Sequence, residues 1–166
     1  RKRVAVLISG RGSNMAALIE AAKAKDYPAE IVLVVSNRPE ARGLLVARAA
    51  GIATETVDHT KFSGDRNRFE HEIQSLLEKY RIEIICLAGF MRLLTADFLE
   101  RWQWRILNIH PALLPDFKGL DTHKRVIDAG VKIHGATVHF VVPELDSGPV
   151  IAQGAINVRS GDSEDA

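Results

Sequence analysis

The sequence lacks the features that mark secreted, membrane-spanning or disulfide-rich proteins. Only one of its 166 residues is cysteine, so neither a disulfide framework nor a cysteine-based metal site can form within the chain. The apolar runs are far too short to span a bilayer, and no uncharged stretch of signal-peptide type precedes the first of them. We therefore expect a reducing, cytoplasmic setting and no membrane partner.

The chain also lacks an excess of either charge. It has 22 basic and 21 acidic residues, a formal charge of +1, and its longest block of like charge is Arg1–Arg3. A protein that binds nucleic acid needs a clustered basic face to neutralise phosphates, so we expect no nucleic-acid partner. A small anionic ligand needs no such cluster. Whether the chain forms a homodimer is left open.

Short apolar runs alternate with helical patterns as far as about residue 110, as in βαβ units around a parallel sheet. We predict five strands: Val4–Ser9, Ile31–Ser36, Ala53–Val57, Ile82–Ala88 and Arg105–Ile109. Apolar residues at helical spacing predict helices around Met15–Ala22 and Phe69–Tyr80, and another is predicted over Glu40–Ala50. Thr95 and Thr122 are predicted as the N-caps of two short helices, which run through Trp102 and through Ala129. The predicted fold class is α/β, a Rossmann-like open, mostly parallel twisted sheet with helices on both faces.

After Gly130 the pattern changes to two strands joined by a loop that bears proline and glycine, which predicts a C-terminal antiparallel hairpin. The last seven residues, SGDSEDA, resemble the capped first turn of a helix. A length of 166 residues, 46% of them hydrophobic, fits a single domain. We expect one domain over residues 1–166 that lacks its C-terminal helix. Cys86, within an apolar run, is expected to fill the core.

The stretch ISGRGSNM places Gly10 and Gly12 between the first strand and the first helix. Free amides at a helix N-terminus, in a turn that glycine opens to close approach, form an anion site for which phosphate is the obvious ligand. A dinucleotide fingerprint would need glycine where Met15 stands, and a Walker A sequence is absent. The alternative is a plain turn capped by Ser13.

The stretch LNIHPALLPDFKG carries Asn108 and His110 at i and i+2 of a strand that Pro111 ends. Their side chains project to the same face at the carboxyl end of the strand, where open α/β sheets bind ligands. An amide and an imidazole suit acyl transfer, in which a carbonyl oxygen gains charge. The alternative is a histidine with ordinary buried hydrogen bonds.

A third group is usually needed to orient such an imidazole. Asp146, in a loop that contains Pro143 and Gly148, is the best candidate, with Glu144 and Asp121 as rivals. Serine-hydrolase and zincin signatures are absent. His134 and His139 are spaced to face opposite sides of a strand, so we expect no metal site.

Four stretches together resemble one family, the folate-dependent formyltransferases. They are VAVLISGRGSNM, CLAGFMRLLT, LNIHPALLPDFKG and HGATVHFVVPELDSGPVIAQ, and the resemblance covers essentially the whole chain. It is strongest to the branch that formylates glycinamide ribonucleotide in purine biosynthesis. It implies a one-carbon transferase that moves a formyl group from the co-substrate 10-formyltetrahydrofolate to the amine of that ribonucleotide, with no metal.

The resemblance also implies roles for individual residues. Asn108, protonated His110 and Asp146 match the catalytic positions: the first two stabilise an oxyanion, and the acid keeps the imidazole charged and assists proton relay. The positions that match ribonucleotide phosphate contacts are Gly12, Ser13 and Asn14. Those that match folate contacts are Arg66, Met91, Arg92, Leu93, Leu94, Asn108, Val142, Pro143, Glu144, Leu145 and Asp146. Without the resemblance, GFMRLL reads as a core segment.

Three other functions are compatible with parts of the pattern. Methionyl-tRNA formyltransferase shares the catalytic elements but carries an RNA-binding domain. Formyltetrahydrofolate deformylase, a hydrolase, shares the three catalytic positions and usually has a further N-terminal domain. A non-catalytic nucleotide-binding module would keep the sheet and the glycine turn but would have no need to bring Asn108, His110 and Asp146 together.

Overall fold

Seven strands and five α-helices alternate along the chain in a computed structural model that describes residues 1–166. The strands are β1 (Lys2–Ile8), β2 (Ala29–Ser36), β3 (Ala53–Thr56), β4 (Ile84–Leu87), β5 (Ile106–His110), β6 (Ile133–Phe140) and β7 (Val150–Asn157). The helices are α1 (Ser13–Ala21), α2 (Arg42–Ala49), α3 (Arg66–Lys79), α4 (Ala96–Arg101) and α5 (Thr122–Asp128), with a 3-10 turn at His59–Phe62. The chain divides into two compact units, Arg1–Ile106 and Leu107–Ala166.

The first unit contains the parallel strands in the order β3-β2-β1-β4. Residues Val4–Ile8 of β1 are all buried, so both faces of this central strand are covered. Val4, Val6 and Ile8 share a core cluster with Met15 and Leu44 from the first two helices. The near-continuous apolarity of β1 and β2 therefore has the cause expected from the sequence, which is burial on both faces of a parallel sheet.

Side chains that follow the rules for helix capping set the start of α3 and α4. Asp65 accepts from the Arg68 N–H at 3.1 Å, and Thr95 accepts from the Phe98 N–H at 3.3 Å. Thr95 is itself held by the buried Glu70, which accepts from its N–H and its hydroxyl. The predicted cap at Thr95 is confirmed, although α4 ends one residue before Trp102.

The second unit contains β5 from Leu107 onward, together with β6 and β7, and β6 runs antiparallel to both of the others. The predicted C-terminal hairpin is confirmed, and the sheet edge strand β7 is exposed along its whole length. The last helix, α5, lies where it was predicted, but Thr122 is its first residue and not its cap. The N-cap is Asp121, in a left-handed conformation with no side-chain bond. The expected helical turn near Ser163 is a non-helical turn, closed by a bond from the Ala166 N–H to the Ser163 carbonyl at 3.1 Å. No helix of the structure has the length and apolarity needed to cross a bilayer.

The glycine turn after β1 rests on a second glycine, Gly43, in the first turn of α2. The Gly43 N–H donates to the Gly10 carbonyl at 3.0 Å. A Cβ atom at Gly43 would lie 2.4 Å from the Ile8 Cδ1 atom and 3.2 Å from the Gly12 Cα atom. Backbone of the turn and backbone of the helix therefore pack directly, a contact that only glycine permits.

We predict that Gly43→Ala lowers the free energy of unfolding by about 1–3 kcal/mol, because the added methyl overpacks the contact with Ile8. Denaturant unfolding of the variant measures the change. Gly154→Ala is the matched control, since a Cβ there meets nothing within 4 Å. Equal midpoints for the two variants would contradict the packing explanation.

Cys86 lies on β4 and packs against the core cluster, as expected. Burial raises the pKa of its thiol to about 11 because the thiolate loses solvation in apolar surroundings.

We predict that a thiol reagent at pH 8 modifies native Cys86 about 100-fold more slowly than it modifies the unfolded chain. The thiolate is the reacting form, and its fraction at this pH is that much smaller when the pKa is two to three units higher. The rate should rise about tenfold per pH unit up to pH 11 if the fold persists. Equal rates for native and unfolded protein would show that the thiol is not buried.

Candidate active site

Asn108 and His110 lie on one face of β5, and antiparallel pairing gives each a partner on β6. Asn108 is opposite His139, and His110 is opposite Thr137. Directly opposed residues of an antiparallel pair point to the same face of the sheet, so two histidines, an amide and a hydroxyl share one face. His110, Thr137 and His139 are buried, and Asn108 is half-buried.

The two ring nitrogens of His110 have different partners. Nε2 lies 2.8 Å from the Phe117 carbonyl oxygen, which can only accept, so Nε2 carries a proton. Nδ1 lies 3.6 Å from Asp146 Oδ2, and both side chains are less than a tenth exposed. A contact of this length is an ion pair when the ring is protonated, yet it is longer than a hydrogen bond. Nδ1 therefore faces a carboxylate without forming a hydrogen bond to it.

Of the three acids considered for this role, only Asp146 pairs with His110. Its backbone has a φ of 49°, and the same Oδ2 atom accepts from the Gly119 N–H at 2.9 Å. The loop follows this path because Gly148 lies against the Phe140 carbonyl, where a Cβ atom would be 1.7 Å from the oxygen. Glu144 and Asp121 are exposed.

Asn108 is oriented by His139, a residue that we considered in the sequence only as a metal ligand. The His139 Nδ1 atom lies 2.9 Å from the Phe140 carbonyl, so Nδ1 carries the proton of the neutral ring and Nε2 accepts. That Nε2 atom lies 3.2 Å from Asn108 Nδ2. Asn108 therefore donates one of its two Nδ2 hydrogens to His139, and its amide nitrogen points toward β6. The sequence signal for His139 is the pairing register: an antiparallel alignment of β5 with β6 places this residue opposite Asn108.

Thr137 anchors the chain that follows His110. Its hydroxyl donates to the Ala112 carbonyl at 2.7 Å and accepts from the Leu114 N–H at 3.0 Å. Gln153 donates to the Leu114 carbonyl at 2.9 Å. Because buried polar groups need partners, these bonds allow an irregular segment to lie beside the two strands.

A second histidine pair lies on α5 and β6. His123 Nδ1 is 2.8 Å from His134 Nε2. Burial, and then the neighbouring His123, lowers the pKa of His134. No group of three or more His, Cys, Asp or Glu side chains is arranged to hold a metal ion anywhere in the chain.

The glycine turn lies in the first unit, at the start of α1. Gly12 is the N-cap, with a φ of 75°, and no side chain caps the helix. The alternative in which Ser13 caps the turn is therefore wrong: Ser13 is the first helical residue, and it and Asn14 are exposed. The first amides of a helix have no intrahelical partner, so this end of α1 leaves donors for an anion.

The residues predicted to bind folate lie in both units. In the first, Met91 and Leu93 are exposed large apolar side chains, and the Met91 N–H donates to the Ser9 hydroxyl at 2.8 Å. Arg92 and Leu94 are half-buried, and Arg66 is the exposed first residue of α3. In the second unit, Val142–Asp146 form the loop that carries the acid partner of His110. The exposure of Met91 and Leu93 argues against a segment that serves only as core.

The chain matches known proteins over nearly its full length. A family model described as formyl transferase matches residues 2–166. Phosphoribosylglycinamide formyltransferase of Escherichia coli (strain K12) is 44% identical over 162 residues, which are 98% of this chain and 76% of that protein. The trifunctional purine biosynthetic protein adenosine-3 of Gallus gallus is 50% identical over 97% of this chain. The chain spans only 16% of the length of that trifunctional relative.

Among solved structures, phosphoribosylglycinamide formyltransferase from Brucella melitensis is 50% identical, with a TM-score of 0.94 over 99% of this chain and 84% of that one. The corresponding structure from Anaplasma phagocytophilum is 44% identical, with a TM-score of 0.90. These matches confirm the predicted fold class, a Rossmann-like α/β fold with a mostly parallel sheet. They also confirm the resemblance found in the sequence: the chain belongs to the formyl transferase family.

Proposed function

We propose that this chain transfers a formyl group from 10-formyltetrahydrofolate to the primary amine of glycinamide ribonucleotide, a step of purine biosynthesis. The observation that carries the proposal is the pairing of His110 with Asp146 beside Asn108 on the strand end. A module that only binds nucleotides has no need of such a buried arrangement. Residues 1–166 act as one formyltransferase domain in this proposal.

The glycine turn binds the phosphate of the ribonucleotide. Gly12 permits close approach of the phosphate, while Ser13 and Asn14 supply amides at the positive end of α1. The absence of a side-chain cap supports this role, because a capping side chain would occupy the same amides. The folate co-substrate contacts Arg66, Met91–Leu94 and Val142–Asp146, and Asn108 reaches its formyl group.

The chemical step begins when the amine nitrogen attacks the formyl carbon and the carbonyl electrons move to oxygen. Two donors stabilise the oxyanion: the second Nδ2 hydrogen of Asn108, which His139 leaves unused, and the Nδ1–H of protonated His110. Nδ1 is the working nitrogen because Nε2–H is already bound to the Phe117 carbonyl. The anion of Asp146 balances the imidazolium charge.

The tetrahedral intermediate breaks down when the bond from carbon to N10 of the folate is cleaved. The attacking nitrogen loses a proton and the leaving N10 gains one, so the step is neutral overall. Asp146 relays this proton, because its carboxylate lies on the working side of the ring. The products are formylglycinamide ribonucleotide and tetrahydrofolate.

We predict that His110→Ala lowers kcat about 10²- to 10³-fold, because it removes one oxyanion donor and the partner of Asp146. The assay follows the absorbance of the deformylated folate, with and without the ribonucleotide. His71→Ala is the matched control, since His71 is exposed on α3.

Two other results would lead to different functions. Folate turnover that needs no acceptor would identify a deformylase. Folate binding without any turnover would leave a binding protein with an unused site. Equal kcat for His110→Ala and wild type would exclude the mechanism even if transfer occurs.

In this proposal the exposed side chain of Asn14 adds a donor to the backbone amides at the start of α1. We predict that Asn14→Ala, which keeps the backbone amide, raises the KM for the ribonucleotide about tenfold and leaves kcat within twofold, because the side-chain hydrogen bond to the phosphate is lost equally in ground and transition states. The unphosphorylated glycinamide riboside provides the control. Wild type and variant should have the same KM for that compound. A difference as large as that for the ribonucleotide would place Asn14 away from the phosphate.

A further inference from the structure

We propose that Arg125 is a positioning residue that holds the imidazole of His110 and the carboxylate of Asp146 in register. The inference rests on the proposed function, and it concerns a residue that neither touches the reacting groups nor stands in any motif of the sequence. Arg125 lies on α5 and acts on the loop of residues 117–121.

This loop supplies one backbone contact to each member of the ion pair. The Phe117 carbonyl accepts from His110 Nε2 at 2.8 Å. Two residues later, the Gly119 N–H donates to Asp146 Oδ2 at 2.9 Å. A shift of the loop would therefore move the ring and the carboxylate together, and the contact between them is already 3.6 Å long.

The loop needs support because its backbone is strained. Phe117 and Asp121 have φ values of 52° and 54°, in the left-handed region that non-glycine residues rarely adopt. Gly119, between them, has a φ of 89°. Such a conformation persists only where neighbouring groups hold it.

Arg125 provides that support through three contacts. Its Nη1 atom donates to the Lys118 carbonyl at 2.6 Å and to the Leu120 carbonyl at 3.1 Å. Its guanidinium carbon lies 5.5 Å from the centroid of the Phe117 ring. The Lys118 carbonyl belongs to the same peptide group as the Gly119 N–H, so the side chain holds the peptide group that donates to Asp146. Its second bond, to the Leu120 carbonyl, holds the peptide group that joins Leu120 to Asp121.

The helix that carries Arg125 is itself fixed to the end of the catalytic strand. The hydroxyl of the buried Thr122 donates to the Pro111 carbonyl at 2.5 Å. Thr122 and Arg125 are three residues apart and so lie on the same face of α5. Helix α5 therefore contacts both the residue that follows β5, through Thr122, and the loop of residues 117–121, through Arg125. The loop in turn accepts a hydrogen bond from His110 on β5.

The test compares Arg125→Ala and Arg125→Lys with Lys124→Ala, a matched control on the same helix whose ion pair with Asp128 is exposed. We expect kcat of Arg125→Ala to fall about 10- to 100-fold, because a displaced catalytic group costs rate steeply. The KM for the ribonucleotide should stay within twofold. Arg125→Lys should recover part of the loss, since lysine can reach only as a single donor, and Lys124→Ala should match wild type.

A spectroscopic measurement separates positioning from a general loss of structure. In wild type, the His110 Nε2–H should give a slowly exchanging imidazole resonance, because it is bound to the Phe117 carbonyl; His110→Ala assigns it. Arg125→Ala should lose this resonance while its thermal midpoint stays near that of Lys124→Ala.

The outcomes are distinct from those of the proposed function. If wild type transfers formyl and Arg125→Ala does so equally fast, the positioning role is overturned and the transferase stands. If wild type has no transferase activity, the resonance still decides: its loss in Arg125→Ala but not in Lys124→Ala supports positioning, and its persistence in Arg125→Ala overturns the proposal. A thermal midpoint of Arg125→Ala well below that of Lys124→Ala, together with the fall in kcat, would also overturn the proposal, because Arg125 would then contribute to stability alone.

Discussion

The antiparallel pairing of β5 with β6 is the constraint on which the candidate site depends. It places Asn108 opposite His139 and His110 opposite Thr137, all on one face. A shift of one residue in this register would move every one of these side chains to the other face of the sheet. The register is supported on the other side of β6, where β7 pairs with residues from Ile133 to His139.

Glycine sets a second constraint, which concerns how closely backbone segments approach. At Gly148 the chain passes the Phe140 carbonyl so closely that any side chain would collide with the oxygen. That same carbonyl accepts from His139 Nδ1, so the close contact and the tautomer of the ring are linked. A larger residue at position 148 would displace the carbonyl that sets which nitrogen of His139 accepts from Asn108.

Regular periodicity made most of the fold predictable from the sequence. The strands at Val4–Ser9 and Ile31–Ser36 and the long helix through Phe69 differ from the structure only at their ends, where propensities are weak. The projection of Asn108 and His110 to one face followed from their spacing alone. The predicted cap at Thr122 was wrong, and so was the alternative in which Ser13 caps the glycine turn, for one common reason. Left-handed residues, Asp121 and Gly12, precede these two residues and make them the first helical residues.

The remaining parts of the site could not be read from residue types because they are backbone groups. The Phe117 carbonyl and the Gly119 amide hold His110 and Asp146, and every residue has a carbonyl. Their directions depend on positive φ values at Phe117 and Asp146, which residue preferences argue against. Residue type can also suggest a function where there is a structural role. Glu70 is a buried acid on a helix, yet both its carboxylate oxygens accept hydrogen bonds from Thr95 at the start of α4.

Both proposed oxyanion donors share one design, in which one hydrogen of a side chain is anchored and another is left to work. His110 binds the Phe117 carbonyl through Nε2 and keeps Nδ1 toward Asp146. Asn108 gives one amide hydrogen to His139 and keeps the other. Each anchor removes a rotation that would otherwise have to be frozen as charge develops, so the cost of orienting the donors is met by folding and not during the reaction. Neighbouring groups also restrict the anchors, with His139 fixed by the Phe140 carbonyl and the Phe117 loop by Arg125. The direction of a donor on β5 is therefore a property of the whole second unit, which explains why two side chains on a five-residue strand need contacts from two loops, a helix and a neighbouring strand.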